Sequence, residues 1–333
     1  MNKKVTIQNI ADKLGISKST VSKAISGATD INENTRENII RCAAEMGYVI
    51  NYDKMSKSKS VAVLVCNVYY ENAEQFGYEV IAGIQTAAAE QGLSVNIISV
   101  TKEQATLGNY DTLVIGKRFE GIFFLGFRPH VDFISRNKGY DVPFIVFDDY
   151  IDSPLTARVG CENGIHLVVL HLWKKGHRKI GFIGGESDSM VTVERKKLFC
   201  ETVESLGGGN CKDLVRYASF SGDGVKEAAL DIAGKGSTAI VCVSDVIASA
   251  AVRELTKAGY SVPADISVTG YDNLPIAEYC VPPLTTVDQN RIHIGKAAFM
   301  TMQQIKSGIR ISTVLLHTRL VERDSVADIT QNT

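Results

Sequence analysis

Two successive series of short apolar, β-branched runs, each joined by segments of helical spacing, limit what this chain can fold into. The first reads VAVLVCNV, VNIISV, GIFFLGF and PFIVFDD; the second reads KIGFIGG, a strand near 214–218, AIVCVSD and SVTGYD. Helical segments fall near 76–91, 103–116, 163–175, 193–206, 223–234 and 246–258. Continuous apolar strands joined by helices belong to parallel sheets covered on both faces, so the pattern predicts two similar α/β lobes. Ligands of such sheets gather beyond the carboxyl ends of the strands. Here those ends read CNVYY, LGF, FDD, GGES, VSD and GYDN, polar and acidic where the strand interiors are apolar. Loops at strand ends are polar in any protein; two lobes facing each other would also gather these ends around one polar small molecule.

The first 48 residues are punctuated differently. Thr6 caps IQNIADKL and Gly15 ends it, Ser17 caps KSTVSKAI, and Asn32 caps a longer helix through Met46 with Gly47 just beyond. Three helices in so short a span make one small all-α domain, 1–48, and the polar run NYDKMSKSKS reads as part of a linker over 49–60. In IADKLGISKSTVSKAIS, Ala11 is small where two helices pack closely, Gly15 makes the turn, and Ile16, Val21 and Ile25 are spaced to face the core. Lys18, Ser19, Ser22 and Lys23 are left pointing outward. A helix-turn-helix has this layout: its second helix lies in the major groove, while hydroxyls and backbone amides hold phosphates. A helical hairpin with a solvated Lys/Ser face is the plainer reading of the same residues.

Charge separates the ends of the chain. The 333 residues carry a formal charge of -1, yet residues 1–60 hold ten Lys or Arg against six Asp or Glu, and the remainder 26 against 31. A basic surplus on a small helical head is what a polyanion binder requires. The seven cysteines, at 42, 66, 161, 200, 211, 242 and 280, form no CxxC and have no His at metal-ligand spacing. They read as small core residues in a reducing compartment, and no metal is expected. The opening MNKKVTIQN lacks the apolar run of a signal peptide, and no stretch reaches the roughly 18 apolar residues of a membrane helix. The expected location is the cytoplasm, with no membrane partner. GGES and GYDN are neither GxSxG nor a P-loop, and the six His are not clustered in sequence, so no catalytic residues, enzyme activity or cofactor are expected.

Three separated blocks carry a resemblance. VTIQNIADKLGISKSTVSKAISG with INENTRENIIRCAAEMGYVIN is similar to the DNA-binding head of the lactose-repressor/galactose-repressor (LacI/GalR) family. ENGIHLVVLHLWKKGHRKIGFIGG and VSDVIASAAVRELTKAGYSVPADISVTGYDNLPIAEYCVPPLTTVDQ resemble that family's later blocks, in the same order and over nearly the whole chain. The resemblance implies a helix-turn-helix head on a periplasmic-binding-protein-like body of two doubly wound parallel-sheet lobes. The body would span 61–333, with an N-lobe of 61–157 and 288–316 and a C-lobe of 158–287 and 317–333. It implies a regulator of transcription, repression of carbohydrate-related genes being the first expectation, with Lys18, Ser19 and Lys23 reading bases and Thr6, Thr20, Ser22 and Asn51 gripping phosphate. Lys at 23, where Arg is usual, keeps the charge and loses the bidentate fork.

The linker departs from the family. Ile50 stands where a proline is usual, Lys54 and Met55 where Ala-Arg is, and Lys57 where a wedging leucine is. Either Met55 inserts between bases in the minor groove, or no hinge helix forms and Lys54, Lys57 and Lys59 make a basic tether. So short and polar a segment favours the tether.

At positions matching the family's ligand contacts stand Asn67, Phe76, Asp148, Ser189, Arg195, Val241, Asp245 and Asp272, with Tyr69 and Tyr70, on an enlarged loop, at the mouth of the cleft. Carboxylates and an arginine holding vicinal hydroxyls, with a ring against the sugar's apolar face, is the logic of sugar binding. A sugar or sugar derivative is the first expectation; a nucleobase, a partner protein, or lobes that only dimerise are the alternatives, and a solute-binding protein would share the lobes without the basic head. Two heads are needed to read a palindromic operator, so a homodimer is expected, and the tail RLVERDSVADITQNT has no leucine heptads to make a tetramer.

Overall fold

In the computed structural model the described residues are 5–26, 28, 30–46, 48, 59–107, 114, 119–127, 142–147, 153–162, 164–209 and 211–330. The head begins with α1 (Ile7–Leu14), α2 (Lys18–Ser26) and α3 (Glu33–Glu45). Thr6 caps α1 reciprocally: its hydroxyl accepts from the Asn9 N–H, and the Asn9 side chain accepts from the Thr6 N–H at 2.9 Å. Gly15 closes α1 at φ 66°, the left-handed conformation that glycine adopts without steric cost. Ser17 Oγ accepts from the Thr20 N–H at 3.0 Å, and Asn32 Oδ1 from the Asn34 N–H at 2.9 Å. Ile10, Ala11, Val21, Ala24, Ile25, Ile39, Ile40 and Ala43 are buried as the three helices' shared core.

Packing divides the chain into two units: 1–68, 80–159 and 295–314 form the first, and 69–79, 160–294 and 315–333 the second. The segments 69–79 and 288–294, which the sequence reading puts in the N-lobe, thus pack with the second unit. Besides the head, the first unit is built on β1 (Ser60–Val65), β2 (Ser94–Ser99), β3 (Ile122–Leu125), β4 (Phe144–Phe147), β5 (Thr156–Cys161) and β11 (Thr313–Leu316), in the order β11-β5-β4-β3-β1-β2. β1 pairs parallel with β2 and β3, β3 with β4, and β4 with β5. β1, β3 and β4 are buried along their whole length, as strands covered on both faces must be. β2 is the exception. As an edge strand its residues are exposed or half-buried, so VNIISV is not the covered strand its composition suggests. Helices α4 (Phe76–Glu90) and α5 (Lys102–Leu107) follow β1 and β2 in the chain, and α11 (Arg291–Lys306) precedes β11.

The second unit carries β6 (Ile180–Gly184), β7 (Val215–Tyr217), β8 (Ala239–Cys242) and β9 (Ser267–Thr269), all parallel in the order β7-β6-β8-β9. Its helices are α6 (Ile165–Lys174), α7 (Met190–Ser205), α8 (Val225–Gly234), α9 (Asp245–Lys257) and the short α10 (Pro275–Tyr279). β10 (Thr286–Asp288) pairs antiparallel with β12 (Arg319–Val321) as a separate ribbon. Phe182 and Phe199 meet at a centroid distance of 5.1 Å within a core that also takes in Ile165, Leu172, Ile240, Val241 and Leu255. His177 ties the tail to this core. Its ring nitrogens lie 2.9 Å from Thr238 Oγ1 and 3.1 Å from the Ala327 carbonyl, and burial pushes its pKa down.

One reading of the cysteines is corrected. Cys200, in α7, and Cys211, at the turn before β7, are joined as a disulfide with Cα atoms 5.5 Å apart. They lie 11 positions apart in sequence, and neither forms a motif with its neighbours, so spacing alone gives no sign of the pair. Cys42, Cys66, Cys161, Cys242 and Cys280 are in no disulfide. Among the described residues no helix is long and apolar enough to cross a membrane, and no group of His, Cys, Asp or Glu is placed to hold a metal.

Candidate functional site

On the head, capping and helical periodicity decide which side chains face out. Val21, Ala24 and Ile25 are turned to the core, and Lys18, Ser19, Ser22 and Lys23 are exposed on the opposite side of α2. Thr20 is half-buried, its Oγ1 2.8 Å from Ser17 Oγ. The Thr6 hydroxyl is engaged at both ends, accepting from the Asn9 N–H and donating to Asn9 Oδ1 at 2.7 Å. It holds the N-terminus of α1 in shape, and a phosphate would have to displace that bond to reach it. Asn51 and Met55, with the rest of 50–58, lie outside the described residues, as does Asp148.

In the second unit the carboxyl ends of β6, β8 and β9 surround a compact charged cluster. Arg195, on the second turn of α7, reaches back so that its guanidinium lies 3.6 Å above the centroid of the Tyr271 ring. Its Nη1 donates to the Val243 carbonyl at 2.6 Å and lies 3.7 Å from Asp272 Oδ1. The side chains of Arg195 and Asp272 keep 11% and 8% of their surface exposed, enough to meet a ligand and little enough to lose most of their water. Gln289 Nε2 donates to Asp272 Oδ1 at 2.5 Å, and the Tyr271 hydroxyl accepts from the Gly164 N–H at 2.9 Å. Asp272 and Asn273 stand at φ 110° and 53°. Left-handed backbone at two consecutive side-chain-bearing residues is strain of the kind found where a loop must present a group in one orientation.

Arg291 supports the cluster from beneath. It donates to the Asp272 carbonyl through Nη1 and to Glu79 Oε2 through Nη2 at 2.9 Å, and so fastens the 69–79 segment to the strained loop. That segment carries Tyr69, Tyr70 and Phe76, and packs in the same unit as Arg195 and Asp272. Tyr69 is exposed, and Tyr70 and Phe76 are half-buried. Asn67 falls in the first unit, exposed and at φ 58°. Ser189 is the N-cap residue of α7, and its side chain makes no capping bond. Sequence reading missed Tyr271, Arg291 and Glu79. Gln289 lies in the PPLTTVDQ stretch, where nothing local marks a residue whose role is set by a loop 17 positions away.

Two expected ligand contacts are corrected. Val241 has no exposed surface; as a β8 residue it points into the core, where no ligand can stack on it. Asp245 is also fully buried. Its Oδ2 accepts from the Leu274 N–H at 2.7 Å and its Oδ1 from the Thr286 hydroxyl at 2.6 Å, so it knits α9 to the loop and to β10. A Cβ on Gly270 would stand 2.1 Å from Asp245 Oδ1, so only glycine leaves room for the carboxyl. Burial, and then the neighbouring Asp272 carboxylate, push the Asp245 pKa up to about 8, against the pull of the Thr286 and Leu274 hydrogen bonds.

Comparison with known proteins bears on both parts of the chain. Residues 6–51 match the model of bacterial regulatory proteins of the lacI family, and residues 169–326 match the periplasmic binding protein-like domain. The HTH-type transcriptional repressor PurR of Photobacterium profundum is 29% identical, over 97% of this chain and 99% of its own. The HTH-type transcriptional repressor CytR of Escherichia coli (strain K12) is 26% identical, over 92% and 93%. Among solved structures, the transcriptional regulator CelR–cellobiose complex superposes with a TM-score of 0.71 at 26% identity, covering 97% of this chain and 100% of that one. The lac repressor dimer bound to operator and the anti-inducer ONPF gives 0.71 at 24% identity, over 98% and 100%, a likeness of fold.

Proposed function

The chain belongs to the LacI family of bacterial regulatory proteins, as a DNA-binding transcriptional repressor with an effector-binding domain, and we propose that a sugar or sugar derivative controls its hold on a palindromic operator. The observation that carries this reading is the Arg195–Asp272 pair on the face of Tyr271. Each sugar hydroxyl both donates and accepts, so adjacent hydroxyls suit a carboxylate and a guanidinium held side by side. The cellobiose in the structure of a relative at 26% identity supports the same ligand class. Arg195, Asp272 and Ser189 would contact the sugar, with Tyr69, Tyr70 and Phe76 from the segment fastened by Glu79. On the DNA side, Lys18, Ser19 and Lys23 would read bases, and Thr20, Ser22 and Asn51 would hold phosphate. The expected location is the cytoplasm.

Thermal unfolding of the full chain against a panel of mono- and disaccharides, cellobiose included, and of free nucleobases tests the ligand class. A sugar is expected to raise the midpoint by several degrees, and Asp272→Asn to abolish the shift. Stabilisation by a nucleobase and by no sugar overturns this reading.

A homodimer through the lobes is part of the same proposal. Tyr279 and Val281 stand 75% and 85% exposed on the second unit, and Met300 on the first is 61% exposed. Tyr279 and Val281, two positions apart and both open to water, would be covered by the second copy. Val281→Asp is expected to shift the full chain from dimer to monomer in sedimentation at micromolar concentration and to weaken operator binding at least tenfold, because one head then reads one half-site. A wild-type chain that sediments as a monomer contradicts it.

A further inference from the structure

Lys23 has a partner within the head. Its Nζ lies 2.5 Å from Asp30 Oδ2, and both side chains are about half exposed. Asp30 stands beyond the end of α2, on the connection to α3, so the pair joins the outward face of α2 to that connection. Arg36, the other cation that acts on Asp30, is committed elsewhere, donating to the Ala28 carbonyl. The lysine's hydrogen bond is the main influence holding the Asp30 carboxyl below the usual carboxylate range.

A carboxylate on a surface that meets a polyanion weakens binding at every sequence, since phosphate attraction supplies most non-specific affinity. Its presence beside an expected base reader calls for a compensating role. Lysine has three donors on a flexible stem and none of arginine's planar geometry, so alone it selects bases poorly. Fixed against Asp30, it becomes a donor next to an acceptor. A G·C pair shows the complement in the major groove: guanine offers O6 and N7 as acceptors, and cytosine its N4 amino group as a donor. A reversed C·G or A·T pair sets donor against donor and acceptor against acceptor. T·A has the right order at O4 and N6, but its thymine lacks N7.

We propose that Lys23 and Asp30 read one G·C base pair as a unit, with Lys23 over the guanine and Asp30 accepting from the cytosine amino group, so that Asp30 is a specificity-determining residue of this repressor. The inference rests on the reading of Lys23 as a base contact. Lysine's remaining donors stay available while Asp30 fixes its direction, and the same carboxylate lowers affinity for DNA that lacks the matching pair.

Selection of random duplexes by the full-length chain, repeated with Asp30→Asn, Asp30→Ala and Lys23→Gln, tests it. The wild type is expected to fix guanine at one position of each half-site by about tenfold or more, the discrimination of one good base-edge contact. Both Asp30 variants should reduce that preference to about threefold or less, leave the other positions unchanged, and bind mixed-sequence DNA more tightly, with a steeper salt dependence. If Lys23→Gln relaxes one position and neither Asp30 variant does, Lys23 reads alone and the inference is overturned. If Lys23→Gln selects the wild-type motif, the reading of Lys23 as a base contact fails and the inference with it.

Discussion

Asp245→Asn will come closest to the wild type in stability near pH 5 and gain on it by about 4 kcal/mol between pH 5 and pH 9, whereas Asp245→Ala, which cannot ionise either, will cost about 2–4 kcal/mol near pH 5 and gain on the wild type in parallel with Asp245→Asn as pH rises. The native Asp245 carboxyl holds its proton up to about pH 8, while the ordinary value for the free side chain is 3.8. Between those values the folded chain binds a proton that the unfolded chain has released. Stability therefore falls as pH rises through that window, and above it the native state carries an ionised group that burial and Asp272 disfavour. Asparagine cannot ionise. Its amide keeps an acceptor for the Leu274 N–H, and the Thr286 hydroxyl turns to accept from its NH₂ instead of donating. Alanine leaves both partners buried and unsatisfied. Unfolding of the full chain by denaturant at pH 5, 7 and 9 gives the three profiles, and parallel profiles for wild type and Asp245→Asn contradict the assignment.

Arg195→Met will destabilise the fold by about 3–5 kcal/mol and remove ligand binding, because it strands a largely buried Asp272 carboxylate. Methionine fills much of the same volume over Tyr271 but supplies neither the charge nor the bond to the Val243 carbonyl. Asp272→Asn added to Arg195→Met should recover part of the lost stability and none of the binding. The double-mutant cycle then shows a coupling well above the few tenths of a kcal/mol expected of independent sites. Additive losses would mean that Arg195 and Asp272 act separately, and a full ligand response from Arg195→Met would remove the basis of the proposed effector site.

Much of this architecture is written locally in the chain. Thr6, Gly15, Ser17 and Asn32 mark helix ends by capping chemistry confined to a few residues, and the head follows from them. The buried strands are likewise legible, because residues covered on both faces must be apolar throughout. β2 shows the limit: VNIIS is composed like a buried strand, and only its place at the sheet edge leaves it open to water. The effector cluster is half legible for a similar reason. Asp245 and Asp272 both follow strands as acidic residues, yet one is sealed at the start of α9 and bonded to β10, and the other is displayed by left-handed backbone. Composition cannot tell them apart. Arg291 and Glu79, distant in sequence and paired through the fold, carried no local sign, nor did the Cys200–Cys211 bridge.

Selection from random duplex DNA by the full-length chain, with and without the sugar panel, tests whether the protein is a dimeric, effector-controlled reader of a two-fold operator. Enrichment of a palindrome of two half-sites is expected in one of the two conditions, with an affinity that falls steeply as salt rises and shifts when the sugar is exchanged. Enrichment of no motif in either condition, or of a single asymmetric half-site insensitive to every sugar, contradicts it.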